Sequence, residues 1–183
     1  MVRFLLVLPL VLALSGCATA LVAPDRPAEI GNDVTVMPQR AWNRITNDPE
    51  AWTTQGPQID LIRFFSGIRS GDALLAGVRG SRFDFDAKML PNDIQDLVIA
   101  TLQLEGNKAV RADNLAPCPF GGDKGFCFDL AFVSADDLEM KGLAIARKHD
   151  GRLDLFLFQA ASEYYYGEMI SDVRKLFASA QTQ

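Results

Sequence analysis

Asp84 and Asp86 alternate with Phe83 and Phe85. In an extended chain this puts both carboxylates on one face and both rings on the other. Paired carboxylates can hold a hard cation or divide acid–base work between them. No further ligand cluster lies near them in the sequence, so the pattern reads first as the wet face of an edge strand. Cys118 and Cys127 are the only thiols after residue 17, and His149 is the only imidazole. Two thiols and one distant histidine fall short of a zinc tetrad. His149 adjoins Asp150-Gly151, a two-residue turn signal, and is expected in solvent rather than in catalysis. The chain has no G-x-S-x-G, no H-E-x-x-H and no C-x-x-C. The glycines around Lys124 do not complete G-x-x-x-x-G-K-[ST], and no helical pattern follows them. Tyr164-Tyr165-Tyr166 opens a helical stretch. Three consecutive helical positions cannot share one side, so at least one ring points outward, as a contact or as cover for a loop. The chain is therefore expected not to be an enzyme and to need no cofactor or metal. Catalysis, if present, would fall to Asp84, Asp86 or a tyrosine.

The elements that position these residues follow from hydrophobic period. Val34 to Met37 is a short β-rich run stopped by Pro38, and residues 58–68 read as a strand. Gly67 to Gly71 is a turn, with residues 72–75 expected to return as a hairpin partner. Trp42 and Trp52 lie in a polar, loop-like stretch between Pro38 and Pro57. Their large apolar bodies favour packing against the core edge; an exposed pair would instead mark a binding surface. With Tyr164 and Tyr165 they are the candidate partner contacts. Pro91 and Asp93 open a helix whose Ile94, Leu97, Val98, Thr101 and Leu102 form one stripe, and Gly106 ends it. Residues 108–112, 126–134, 138–148 and 152–161 read as strands, the last two joined through Asp150-Gly151. Residues 153–158 become apolar on both faces, the pattern of an interior strand covered on both sides. A terminal helix over 164–180 buries Tyr166, Met169, Ile170, Val173, Leu176, Phe177 and Ala180.

Leu14-Ser15-Gly16-Cys17 follows Arg3 and an apolar run that is too short to cross a bilayer. This segment resembles the lipobox of bacterial lipoproteins. The resemblance implies that residues 1–16 are a signal peptide and that Cys17 is acylated and becomes the first residue of the mature chain. Several acyl chains on one residue make a durable anchor where a single chain would not. Ala18 after the cysteine implies the outer membrane, facing the periplasm, with the inner membrane as the alternative. An ordinary secreted protein, cleaved after Ala18 or Ala20, is the competing reading. Residues 17–33, with Pro24, Pro27 and Gly31, are expected to be a lipidated tether reaching up to about 50 Å. Residues 34–183 are expected to form a single domain.

Arg3 is the only charge in residues 1–16, so the remainder carries 17 basic and 23 acidic side chains. That excess of acid argues against nucleic acid and against an anionic membrane surface as partners. The export that the lipobox implies places Cys118 and Cys127 where disulfides persist, and they are expected to pair. The short loop between them would gain roughly 2–3 kcal/mol from the bond.

The order of elements resembles the Mog1/PsbP-type domains over roughly residues 34–180. These put an antiparallel sheet between helical layers, an α+β fold with a C-terminal helix. The segments around Trp42-Asn43, Trp52-Thr53 and Met89 to Ile94 also resemble uncharacterised proteobacterial lipoproteins. Domains of the PsbP type act mostly as binding and assembly modules, so the expected role is a membrane-anchored, periplasm-facing module with an envelope protein as partner. A carrier or sensor of a small apolar ligand is the alternative.

Overall fold

The computed structural model describes residues 20–31, 34–47, 49–78, 80 and 82–182. Residues 1–16, expected as a signal peptide, and Cys17 lie outside the described residues. Eleven strands and two helices are present among them. Eight strands form one antiparallel sheet: β1 (Ala20–Val22), β4 (Trp42–Asn47), β5 (Glu50–Thr53), β6 (Asp60–Arg69), β10 (Arg152–Ala161), β9 (Glu139–His149), β8 (Asp123–Val133) and β7 (Lys108–Phe120), in that spatial order. The remaining strands, β2 (Ala28–Ile30), β3 (Val34–Val36) and β11 (Gln181–Thr182), pair in a second, small sheet.

Strand β10 sits between β6 and β9 and is buried from Leu153 to Phe158. Its side chains alternate between two cores. Phe156 and Phe158 pack with Trp52, Phe64 and Phe120, under helix α2 (Tyr165–Ala178) and the small sheet. Leu155 and Leu157 pack with Phe65 and Phe128 under helix α1 (Pro91–Leu104) and the segment carrying Leu74 and Phe85. The expected antiparallel sheet with a helix on each face and a C-terminal helix is thus the observed architecture. The α1 stripe of Ile94, Leu97, Val98, Thr101 and Leu102 is buried as the period requires. At its start the Asp93 carboxylate accepts the Leu90 amide at 2.7 Å, satisfying a donor that the helix itself leaves free. Asp150 and Gly151 both take positive φ, +47° and +73°, the two-residue turn that matches strand twist.

Five local expectations need correction. Residues 20–22 and 28–30, expected as tether, are strands β1 and β2. Val22, Ala28 and Ile30 are buried in the α2-side core, and three-residue alternations among prolines are too short to show a period. The loop-like stretch holding the tryptophans is strands β4 and β5, which the sheet needs to cover β6. Residues 72–75 do not return beside β6: Ala73 bridges Asp84 instead, and Leu74 is drawn into the α1-side core. Phe83 to Asp86 is not a strand either: it makes one isolated bridge, Ala73 with Asp84, and Phe85 alone is driven into the core. The segment from Cys118 to Cys127 is likewise strand rather than loop, closed by the tight turn Gly121-Gly122.

Gly121 has φ +58°, and a Cβ there would stand 1.8 Å from the carbonyl oxygen of Ala180. The turn and the chain's C-terminal strand are packed that closely. Gly121→Ala should therefore cost more than about 1 kcal/mol in urea unfolding, whereas Gly122→Ala, which points into open space, should cost little.

Candidate functional site

The bulge in β6 creates the most concentrated polar site. Leu153 faces Ile68 and Leu155 faces Phe65, so Ser66 and Gly67 together oppose Asp154. An extra residue leaves backbone groups without ladder partners. Asp154 supplies one: its Oδ1 accepts the Gly67 amide at 2.8 Å and the Ser66 hydroxyl at 3.2 Å. Its Oδ2 meets Arg147 Nε at 2.9 Å and His149 Nε2 at 2.9 Å. The Arg147 guanidinium continues to Asp123 and lies 5.2 Å from the centre of the Phe120 ring. Arg147 and Asp154 are buried, while His149 is partly open to solvent. The imidazole is thus tied to a buried carboxylate rather than simply solvated, as the turn position suggested. In this group the carboxylate stands between serine and histidine. A nucleophile needs the imidazole in that middle place. The arrangement fixes the bulge and does not activate Ser66.

A second buried charge lies near the N-terminal strands. Glu50 Oε1 accepts Trp52 Nε1 at 2.6 Å and Arg44 at 2.8 Å. Burial raises the Glu50 carboxyl above its ordinary pKa; the Trp52 hydrogen bond and Arg44 pull it partly back. An open cleft of about 700 Å³ runs beside it, lined by Leu21, Arg26, Glu29 and Arg44. On the opposite face of the sheet, buried Arg63 binds Gln159 and Glu105.

The candidate residues from the sequence are spread over the molecule. Trp42 and Trp52 are 1% and 0% exposed, so neither is a partner contact; both are core, and the apolar body of each ring won. Tyr164 is 62% exposed, with its ring edge-on to Tyr165 at 5.3 Å, while Tyr166 stacks on Phe158. Asp86 accepts the Lys88 amide at 2.8 Å, an ordinary turn contact. Among the described residues, no group of three or more His, Cys, Asp or Glu side chains is placed to hold a metal. Cys118 and Cys127 are free thiols here. Cys118 faces Gly125 and Cys127 faces Ala116, which makes the two thiols diagonal neighbours on one face of the hairpin. Burial pushes the Cys118 thiol up to about 12, and the neighbouring Cys127 adds to the rise. Beside them lies an apolar cavity of about 160 Å³ walled by Leu143, Ile145 and Phe177.

No protein-family model matches the chain. No curated protein matches it either. Among solved structures, the solution structure of cyanobacterial PsbP (CyanoP) from Synechocystis sp. PCC 6803 is similar at a TM-score of 0.47 and 13% identity, over 93% of this chain and 96% of that one. LpqN of Mycobacterium tuberculosis, described as involved in cell envelope biogenesis, is similar at a TM-score of 0.38 and 5% identity, over 91% of this chain and 84% of that one. Likeness at this level carries no function across, and the residues themselves have to support any assignment.

Sequence reasoning missed Arg147, Asp154, Asp123, Arg44 and Glu50. For two of them a signal existed: once Asp150-Gly151 is the turn, Asp154 must sit opposite Arg147, an acid and a base facing each other within apolar strands.

Two outcomes follow from these charges. Asp154→Ala leaves Arg147 buried with Asp123 as its carboxylate partner, and should cost about 3–5 kcal/mol in chemical denaturation. Replacing both, as Arg147→Met with Asp154→Leu, should cost less than the single change. For Glu50, the folded pKa lies above the unfolded one. Between the two, the folded protein holds a proton the unfolded chain has released, so stability falls as pH rises through that window. Glu50→Gln should flatten that slope in urea titrations across the acidic range.

Proposed function

We propose that the chain is a membrane-anchored, periplasm-facing lipoprotein whose folded part is a binding or assembly module of the cell envelope. The observation that carries this reading is the lipobox, Leu14 to Cys17, set three residues ahead of the first described strand, Ala20–Val22. An acylated Cys17 holds the domain to lipid, and Ala18 directs it to the outer membrane. Among the described residues, no helix is long and apolar enough to cross a membrane. The exposed Tyr164 and its neighbour Tyr165, at the start of α2, present an aromatic pair of the kind that anchors protein interfaces. The same reading expects Cys118 and Cys127, free thiols in the structure, to pair in a compartment where disulfides persist.

The carrier reading is less well supported. The apolar cavity under α2 holds about 160 Å³, and ligand sites are typically about 300 Å³ or more. The aromatic chain from Trp52 through Phe64 and Phe156 to Phe177, with ring centres 4.7, 4.9 and 5.6 Å apart, fills the space where a larger ligand would lie.

Two measurements in cells test the assignment. Radiolabelled palmitate should enter the wild-type protein and not Cys17→Ser. A photo-crosslinking residue at position 164 should yield a discrete heavier species. Recovery of monomer alone from position 164 and from α2 generally would sink the binding role.

A further inference from the structure

The chain leaves very little slack between the lipobox cysteine and the fold. From Cys17 to the first residue of β1 there are three Cα steps, which reach about 11 Å at most. The interfacial layer of a bilayer is itself about 5–8 Å thick on each side. A domain held this closely cannot stand away from the lipid. Its first strand lies against the headgroups whenever Cys17 is inserted.

The surface presented there is apolar. Leu21 is 69% exposed, the most open large apolar side chain among the described residues. Its strand neighbour Val22 is buried with Trp42, so Leu21 is turned to the other face of the sheet. Leu21 faces Asn43 of β4, and Ile45, 39% exposed, lies two residues further along that strand, at the irregularity where its register with β5 shifts. Two exposed apolar side chains thus lie at this end of the sheet, one on its edge strand and one on the strand beside it. Arg26, Glu29, Arg44 and Glu50, which line the cleft with Leu21, balance two positive against two negative side chains, so attraction to anionic headgroups is not what would hold this surface down.

We propose that the β1–β4 edge, through Leu21 and Ile45, is seated in the interfacial layer of the bilayer that holds acylated Cys17. The inference rests on the lipoprotein reading and deepens it: the module is fixed in orientation rather than swinging on a tether. Seating β1 sets which surfaces face the periplasm. Helix α1 begins beside β9, because Lys148 reaches the carbonyls of Ala87 and Met89. Strand β9 is five strands from β1, about 24 Å across the sheet.

The test uses the mature, acylated protein beginning at Cys17, in vesicles of phosphatidylethanolamine and phosphatidylglycerol with brominated acyl chains, which quench tryptophan on contact. The native Trp42 and Trp52 are buried and set the baseline. Leu21→Trp and Ile45→Trp should lose at least about half of their added emission relative to unbrominated vesicles, as expected for side chains at the headgroup–acyl boundary. Leu90→Trp, at the start of α1, should lose none. Vesicle-bound Leu21→Trp and Ile45→Trp proteins quenched no more than Leu90→Trp would overturn the seating and leave the anchor standing. Protein that does not float with vesicles, and whose Cys17 has the mass of an unmodified residue, would overturn the anchor and the seating together.

Discussion

Six consecutive residues of β10, Leu153 to Phe158, are withdrawn from water, and that requirement shapes the rest of the molecule. A strand apolar on one face can be satisfied by a single layer; a strand apolar on both faces needs two. One layer is α2 with the small β2–β3–β11 sheet, and the other is α1 with the segment around Leu74 and Phe85. Neither helix has enough apolar surface of its own to be stable alone, since isolated helices of this length are marginal in water. Helix α2 is held on the face of β10 it covers, and α1, packed against β7, closes the core that Leu155 and Leu157 enter from the other face. Phe156 shows the consequence most directly: its ring meets Phe64, Phe120 and Phe177, so strand, hairpin and terminal helix converge on one side chain.

The same demand explains why Asp154 is tolerated at the centre of such a strand. A lone carboxylate in that position would be costly to desolvate. Here it receives hydrogen bonds from both backbone and side chains of the bulge, and a guanidinium pairs with it from the adjacent strand. Burial of the pair does not by itself argue for stability, because apolar residues of similar volume commonly do as well. What the pair does is specify register. Only one alignment of β6, β10 and β9 sets Gly67, Asp154 and Arg147 side by side, and a slip by one residue would bury a charge unpaired. Glu50 plays a comparable part at the other end of the sheet, joining β4 to the indole of β5 through Arg44 and Trp52.

Much of this was legible from the amino acids. The α1 and α2 stripes, the interior character of β10 and the Asp150-Gly151 turn are long or chemically distinctive signals, and each rests on interactions within a single segment or between neighbours. What escaped were features settled by distant parts of the chain. Residues 20–22 become a strand because β4 lies open beside them, and β4 and β5 exist because β6 needs an edge partner. Phe83 to Asp86 alternates perfectly and still does not pair along its length, because its one bridge is to Ala73. Of the polar groups, Arg147 opposite Asp154 could be read from the turn by counting outward. The union of Asp154 with Ser66 and Gly67 could not, since it depends on an irregularity between strands more than eighty residues apart in sequence.

The edges of the large sheet bear on how such a module could associate. Its two outermost strands differ sharply: β1 has three residues and β7 has thirteen. A long edge is ordinarily a template for strand addition. Strand β7 is blunted along its length. Its register with β8 shifts twice, Ala109 and Asn114 take positive φ, and Pro117 and Pro119 can donate no hydrogen bond to a newcomer. Those prolines leave the pairing with β8 intact because an edge strand can turn their missing donors outward. Association by backbone pairing at β7 is therefore obstructed by the same residues that let it end the sheet. Side chains on the helical layers are not obstructed in this way: Tyr164 and Tyr165, at the start of α2, adjoin Tyr166, which stacks on Phe158 of the interior strand.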